Sequence, residues 1–227
     1  MNNHIKFSII TVSRNDDHGG NMFKRMQMFV NGLGEQTGRH GMKCELILVE
    51  WNPPPDRPPL AEALSFEKTK NRMPVRIITV PNEIHRKWIH WDEIPLFQMI
   101  GKNVGIRRAK TDFILCTNVD LLFSDELCEF LAKGEFDENA MYRANRCDVP
   151  MEVLDIVGLE EQLKFCKTHV IRRLGQFPWG YGKPFAFFCL LIEIRRMASK
   201  RCFLWRSHVF RWCLRRANIS SEQNTDC

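Results

Sequence analysis

The chain has 227 residues, 44% hydrophobic and 26% charged, which places it among ordinary globular proteins with room for a sizeable core. Its formal charge is +6, but from Ile171 onward 11 Lys and Arg stand against 3 Asp and Glu, so the basic excess belongs to the C-terminal segment and nucleic-acid binding is not expected of the main body. No apolar run reaches the roughly 18 residues of a spanning helix, and MNNHIKFSIITV lacks the layout of a signal peptide, so a cytoplasmic protein is the expectation.

Residues 7–12 (FSIITV) read as a buried strand, followed at once by polar Ser13, Arg14, Asn15, Asp16 and Asp17. Met22, Met26, Phe29 and Leu33 then mark one face of a helix that Gly34 could stop. Residues 45–49 (ELILV) form a second strand, ending in Glu50, Trp51 and Asn52. The loop PPPDRPP after it continues neither strand nor helix; it reads as a stiff surface connection, with a PxxP-type partner site as the other reading.

A short helix is expected over 61–70 and a third strand over 76–80, closed by Pro81 and Asn82. In HRKWIHWDEIP, His85, His90 and Asp92 have the side-chain types of a metal site, but a solvated loop with snorkelling side chains is the default. A helix over 94–109 carries Phe97, Ile100 and Val104 on one face, and 113–117 (FILCT) form a fourth strand. Ser124 suits the N-cap of SDELCEFLAK, which Gly134 stops. A weak strand over 140–144 and a helix over 159–170 follow.

Helices alternate with strands that are continuous apolar runs, so the expected fold is α/β, with a mostly parallel sheet covered by helices on both faces. The division expected is an α/β domain over 1–170 and a basic tail over 171–227. Nine scattered cysteines with no C-x-x-C pair argue against structural zinc and a disulfide framework; Cys116, inside a strand, reads as a buried inert thiol. Neither a G-x-G-x-x-G turn after the first strand nor a P-loop is present.

In such a sheet the C-terminal strand ends share one edge. Four ends deliver Ser13–Arg14–Asn15, Glu50–Trp51–Asn52, Pro81–Asn82 and Asn118–Val119–Asp120. Asp120 is the candidate ligand for a hard cation, Mg²⁺ or Mn²⁺, bearing a nucleoside diphosphate. With Val119 facing the sheet, Asn118 and Asp120 are expected to point the same way. Glu50 would accept hydrogen bonds from a base or ribose, and Arg14 and Lys102 would contact phosphates. The plainer readings are that Asp120 stabilises a turn or the start of the next helix, Glu50 is a solvated strand end, and Asn103 and Gly105 serve helix packing.

Three segments, FSIITVSRND, ELILVEWNP and KNVGIRRAKTDFILCTNVDLLFS, give residues 5–170 a resemblance to the nucleotide-diphospho-sugar transferases of the A-type glycosyltransferase fold, particularly glycosyltransferase family 2. The resemblance implies a protein that binds a nucleotide-diphosphate sugar with Mg²⁺ or Mn²⁺ and transfers the sugar to an acceptor glycan, lipid or protein. Ser13 and Arg14 would lie near the nucleotide and Glu50 at the base. Lys102 and Asn103 match an Arg-Asn pair, and Asp120 matches the last aspartate of D-x-D as metal ligand. Asn15, Asn82 and Asn118 complete the candidate nucleotide-sugar contacts from the same rim. Asn118 stands where the first aspartate of D-x-D usually is, and Lys102 replaces arginine, losing a two-pronged donor. A sugar nucleotidyltransferase would call for a G-x-G-T-R loop after the first strand, which is absent.

The family's acceptor half would begin near residue 170. Instead, 171–227 hold nine arginines, three tryptophans and four cysteines, and no catalytic base is identified there. Two readings stand. Residues 185–216 form a basic amphipathic segment on an anionic membrane surface, or the ending is non-native, such as an out-of-frame translation. The abrupt change of composition favours the second. The alternative function is a catalytically incomplete membrane-surface or interaction protein on the same scaffold.

Overall fold

The computed structural model describes residues 4–138, 140–174, 187–190 and 195–196. The first half of the chain runs β1 (Phe7–Ser13), α1 (Met22–His40), β2 (Cys44–Trp51), α2 (Leu60–Ala63), β3 (Val75–Val80), α3 (Asn82–His85) and α4 (Gln98–Arg108). The second runs β4 (Phe113–Cys116), β5 (Leu121–Phe123), α5 (Asp125–Lys133), β6 (Tyr142–Arg143), β7 (Arg146–Val149), α6 (Leu159–Thr168), β8 (Arg172–Leu174), β9 (Phe187–Leu190) and β10 (Arg195–Arg196).

Four strands form a parallel sheet in the order β3-β2-β1-β4. The central strands β1 and β2 are buried at every position, as a parallel sheet covered on both faces requires, whereas the edge strands β3 and β4 are mostly half-buried. Side chains alternate across the sheet. Phe7, Ile9, Leu46 and Leu48 pack with Met26, Phe29, Val30 and Leu33 of α1. Ile10, Val12, Ile47 and Val49 pack with Ile100 and Val104 of α4 on the opposite face.

Helix α4 lies close on the sheet because two glycines face it. A Cβ at Gly105 would sit 2.5 Å from Ile10 Cγ2, and one at Gly101 2.7 Å from Val12 Cγ1. Helix α5 begins where expected: Ser124 Oγ accepts the Leu127 N–H at 3.4 Å, and Gly134 takes the left-handed conformation at its end.

A second sheet has the order β5-β9-β7-β8, with β9 parallel to β5 and β7 antiparallel to both its neighbours; β6 and β10 form a separate antiparallel pair. Strands past residue 170 therefore pair with β5, β6 and β7. Membrane contact through 185–216 falls outside the described residues, apart from 187–190 and 195–196. Among the described residues no helix is long and apolar enough to cross a membrane.

Several expected elements differ. The 61–70 helix is broken: Leu64 is extended, and the Gln27 carboxamide bonds both the N–H and the C=O of Ser65, leaving α2 and a 3-10 turn at Glu67–Thr69. The 94–109 helix starts only at Gln98, because the Pro95 carbonyl is taken by Arg14 and Asn52. His85 is not in a solvated loop but 1% exposed. Trp51 Nε1, which can only donate, reaches His85 Nδ1 at 2.9 Å, so Nε2 carries the proton and donates to the Trp91 carbonyl at 2.7 Å.

Gly105→Ala tests the close approach of α4. Overpacking against rigid, β-branched Ile10 costs about 1–3 kcal/mol, more than the roughly 1 kcal/mol that alanine adds in helix propensity. The expected outcome is a lower urea midpoint with an unchanged slope.

Candidate functional site

Strand order reverses between β1 and β4: the chain adds β2 and β3 on one side of β1, then returns to place β4 on the other. In open parallel sheets, ligands bind outside the C-terminal strand ends at such a reversal. Residues after β1 and after β4 flank the place where that rule puts a crevice, with α1 on one face of the sheet and α4 on the other.

On the α4 side, Asn118 Oδ1 accepts from Gln98 Nε2 at 3.0 Å and from Lys102 Nζ at 3.2 Å. Asn103, on the same helix, is exposed. Arg14 and Asn52 both donate to the Pro95 carbonyl, at 3.2 and 3.3 Å, and Arg14 Nε also lies 3.3 Å from Asp16. Asn82 donates to Asn52 Oδ1 at 2.8 Å, and Asn15 to the Pro58 carbonyl at 2.8 Å. The rim residues thus tie the loops after β1, β2 and β3 together.

Two candidates act from beneath. Ser13 is 1% exposed and its hydroxyl reaches Met26 Sδ at 3.1 Å. Glu50 is fully buried, not a solvated strand end; Oε1 accepts the Leu60 N–H at 2.8 Å and Oε2 the Thr79 hydroxyl at 3.4 Å. Glu50 therefore anchors the end of the proline-rich loop where α2 begins. Burial pushes its carboxyl above the usual range, and these two hydrogen bonds oppose the shift.

On the α1 side, Arg25 pairs with Asp120 at 2.9 Å and donates to the His18 carbonyl at 2.6 Å. Both side chains belong to residues less than a tenth exposed, and Arg25 Nε and Asp120 Oδ1 make no hydrogen bond. Burial raises the Asp120 carboxyl, while Arg25 and then Arg146 pull it down. Arg146 in turn lies 3.2 Å from Asp148, which Arg172 grips at 2.6 and 2.9 Å.

Asn118 and Asp120 do not point the same way. Asn118 turns to α4 and Asp120 to α1, on opposite faces of the sheet, because β4 ends at Cys116 and strand alternation no longer governs these residues. This bears on the Mg²⁺ or Mn²⁺ expected at Asp120. Both lone pairs of Asn118 Oδ1 are spent on N–H donors, and Asp120 is already neutralised by Arg25. At about 5 Å and an effective dielectric near 20, a dication and a guanidinium repel by roughly 7 kcal/mol. Among the described residues no group of three or more His, Cys, Asp or Glu is placed to hold a metal ion. In this arrangement the side chains do not fit a resident divalent ion.

Arg25, Arg146 and Asp148 escape a motif reading. Arg25 left one trace: it sits three residues after Met22 and four before Phe29, a cation on the apolar stripe of α1. Arg146 and Asp148 lie on β7, a strand without an apolar run to announce it.

Glu50→Gln preserves the acceptor for Leu60 and removes a buried charge. A carboxyl raised above its ordinary 4.5 loses stabilising effect as pH rises through 4.5 and then through the folded value. The variant is expected to match or exceed the native melting temperature at pH 7, the difference shrinking toward pH 4.5; melting curves across that range check it.

No family model matches the chain, and no curated protein does. Among solved structures, the crystal structure of S. aureus TarS 1–349 aligns with a TM-score of 0.40 and 17% identity, over 60% of this chain. The match spans 34% of that chain.

Proposed function

We propose that this protein is glycosyltransferase-like: it holds a nucleoside-diphosphate sugar at the β1/β4 crevice and passes the sugar to an acceptor glycan, lipid or protein. The observation that carries the reading is the all-parallel order β3-β2-β1-β4, whose reversal point is lined by Arg14 and Lys102 together with a set of neutral amides.

Lys102 and Arg14 face the diphosphate, whose negative charge must be matched while it leaves. Asn15, Asn82, Asn103 and Asn118 offer donors and acceptors to ribose, base or sugar. Ser13 and Glu50 keep the loops in place without contacting the donor. In the transfer, an acceptor hydroxyl oxygen bonds to the anomeric carbon and gives up its proton to solvent water. The bond from that carbon to the diphosphate breaks, and its electron pair leaves with the nucleoside diphosphate.

Titration calorimetry with UDP and with GDP tests the reading. One of the two is expected to bind, and Lys102→Ala to weaken it about tenfold or more, the worth of a charged hydrogen bond of about 1.5–3 kcal/mol. Failure of both nucleotides to bind would remove the reading.

A further inference from the structure

Beside the β1/β4 boundary lie two charged groups, the pair Arg25–Asp120 and the trio Arg146–Asp148–Arg172, close enough that Arg146 acts electrostatically on Asp120; together they are three guanidinium groups and two carboxylates. The set carries a net charge of one positive unit. Its carboxylates are each held by arginine, Asp120 at 2.9 Å and Asp148 at 3.2 and 2.6 Å. A metal site inverts this arrangement, with carboxylates in excess and turned toward the ion. Arg25 is held from two sides, by Asp120 and by the His18 carbonyl, so the cation beside Asp120 is built into the fold. Arg146 is partly exposed at 26% and lies within electrostatic reach of Asp120. Lys102 stands on the other wall.

We infer that this crevice recognises a diphosphate without a divalent ion: Arg25 takes the cation's place at Asp120, and Arg146 with Lys102 supplies positive charge to the phosphates. The inference rests on the donor reading above and deepens it. Arg25 is here a positioning residue, and Arg146 and Lys102 are the contacts. Arginine suits the task, because its fixed fork matches phosphate oxygens and its charge persists when partly buried.

The two accounts predict opposite signs at Asp120. If the carboxylate held a metal, Asp120→Asn would weaken diphosphate binding. If it is a charge that Arg25 cancels, removing it leaves binding equal or tighter.

The experiment is calorimetric titration of the full chain with UDP and GDP, in EDTA and again in Mn²⁺, together with Mn²⁺ alone followed by electron paramagnetic resonance. Expected are nucleotide affinities within threefold in the two media, no Mn²⁺ bound at micromolar concentration, undiminished binding by Asp120→Asn, and at least a tenfold loss in Arg146→Gln. Arg25→Gln with Asp120→Asn, a neutral pair of similar shape, serves if Asp120→Asn alone fails to fold; it too should bind equally in both media. The native-chain comparison needs no variant. A gain of more than threefold with Mn²⁺, or a loss of binding in folded Asp120→Asn, overturns the inference and leaves the donor reading standing. Absence of nucleotide binding in both media defeats the donor reading, and this inference with it.

Discussion

Everything at the candidate site follows from one topological constraint. Because β4 joins the sheet on the far side of β1 from β2, the chain must cross from one face to the other between β3 and β4. Helix α1 therefore covers one face and α4 the other, and at the β1/β4 boundary groups from both helices approach the same edge. The segment after β4 meets both. Asn118 goes to Lys102 and Asp120 to Arg25. A sheet that grew in one direction would have offered no such meeting point.

The parallel sheet was legible because its strands are short apolar runs ending in polar residues, and β1 through β4 fall within a residue or two of the expected positions. The α5 boundaries were legible for a local reason, a serine cap and a glycine stop. What escaped depends on distant partners. Leu121–Phe123 becomes a strand by pairing with β9, and Arg146–Val149 by pairing with β8 and β9. No pattern in a three- or four-residue stretch carries that information. The break near Ser65 is likewise set by a glutamine on α1, nearly forty residues away in sequence.

At the rim, sequence reading found which strand ends carry polar side chains but not where those side chains turn. Glu50 is the clearest case. Its place at the end of β2 suggests an outward carboxylate, yet the proline-rich loop folds back and presents the Leu60 N–H to it. Arg25 is the converse: a residue that looks misplaced on an apolar helix face proves to be the partner of the one carboxylate most prominent in the sequence. A buried cation calls for a buried anion, so such misplacements can be read in pairs, and the two ends of this one lie 95 positions apart.

The Pro95 carbonyl has a consequence for how the rim responds to occupancy. It accepts from Arg14 and from Asn52, which belong to different loops, and Asn52 in turn accepts from Asn82 at the start of α3. An anion that draws the Arg14 guanidinium away must first undo its bond to this shared acceptor, so measured affinity will be lower than the contact itself implies. Released from that bond, the carbonyl would keep Asn52 as its remaining side-chain donor. The loops after β1 and β2 and the start of α3 are thus joined through one carbonyl and one carboxamide, by hydrogen bonds alone and not through the strands of the sheet.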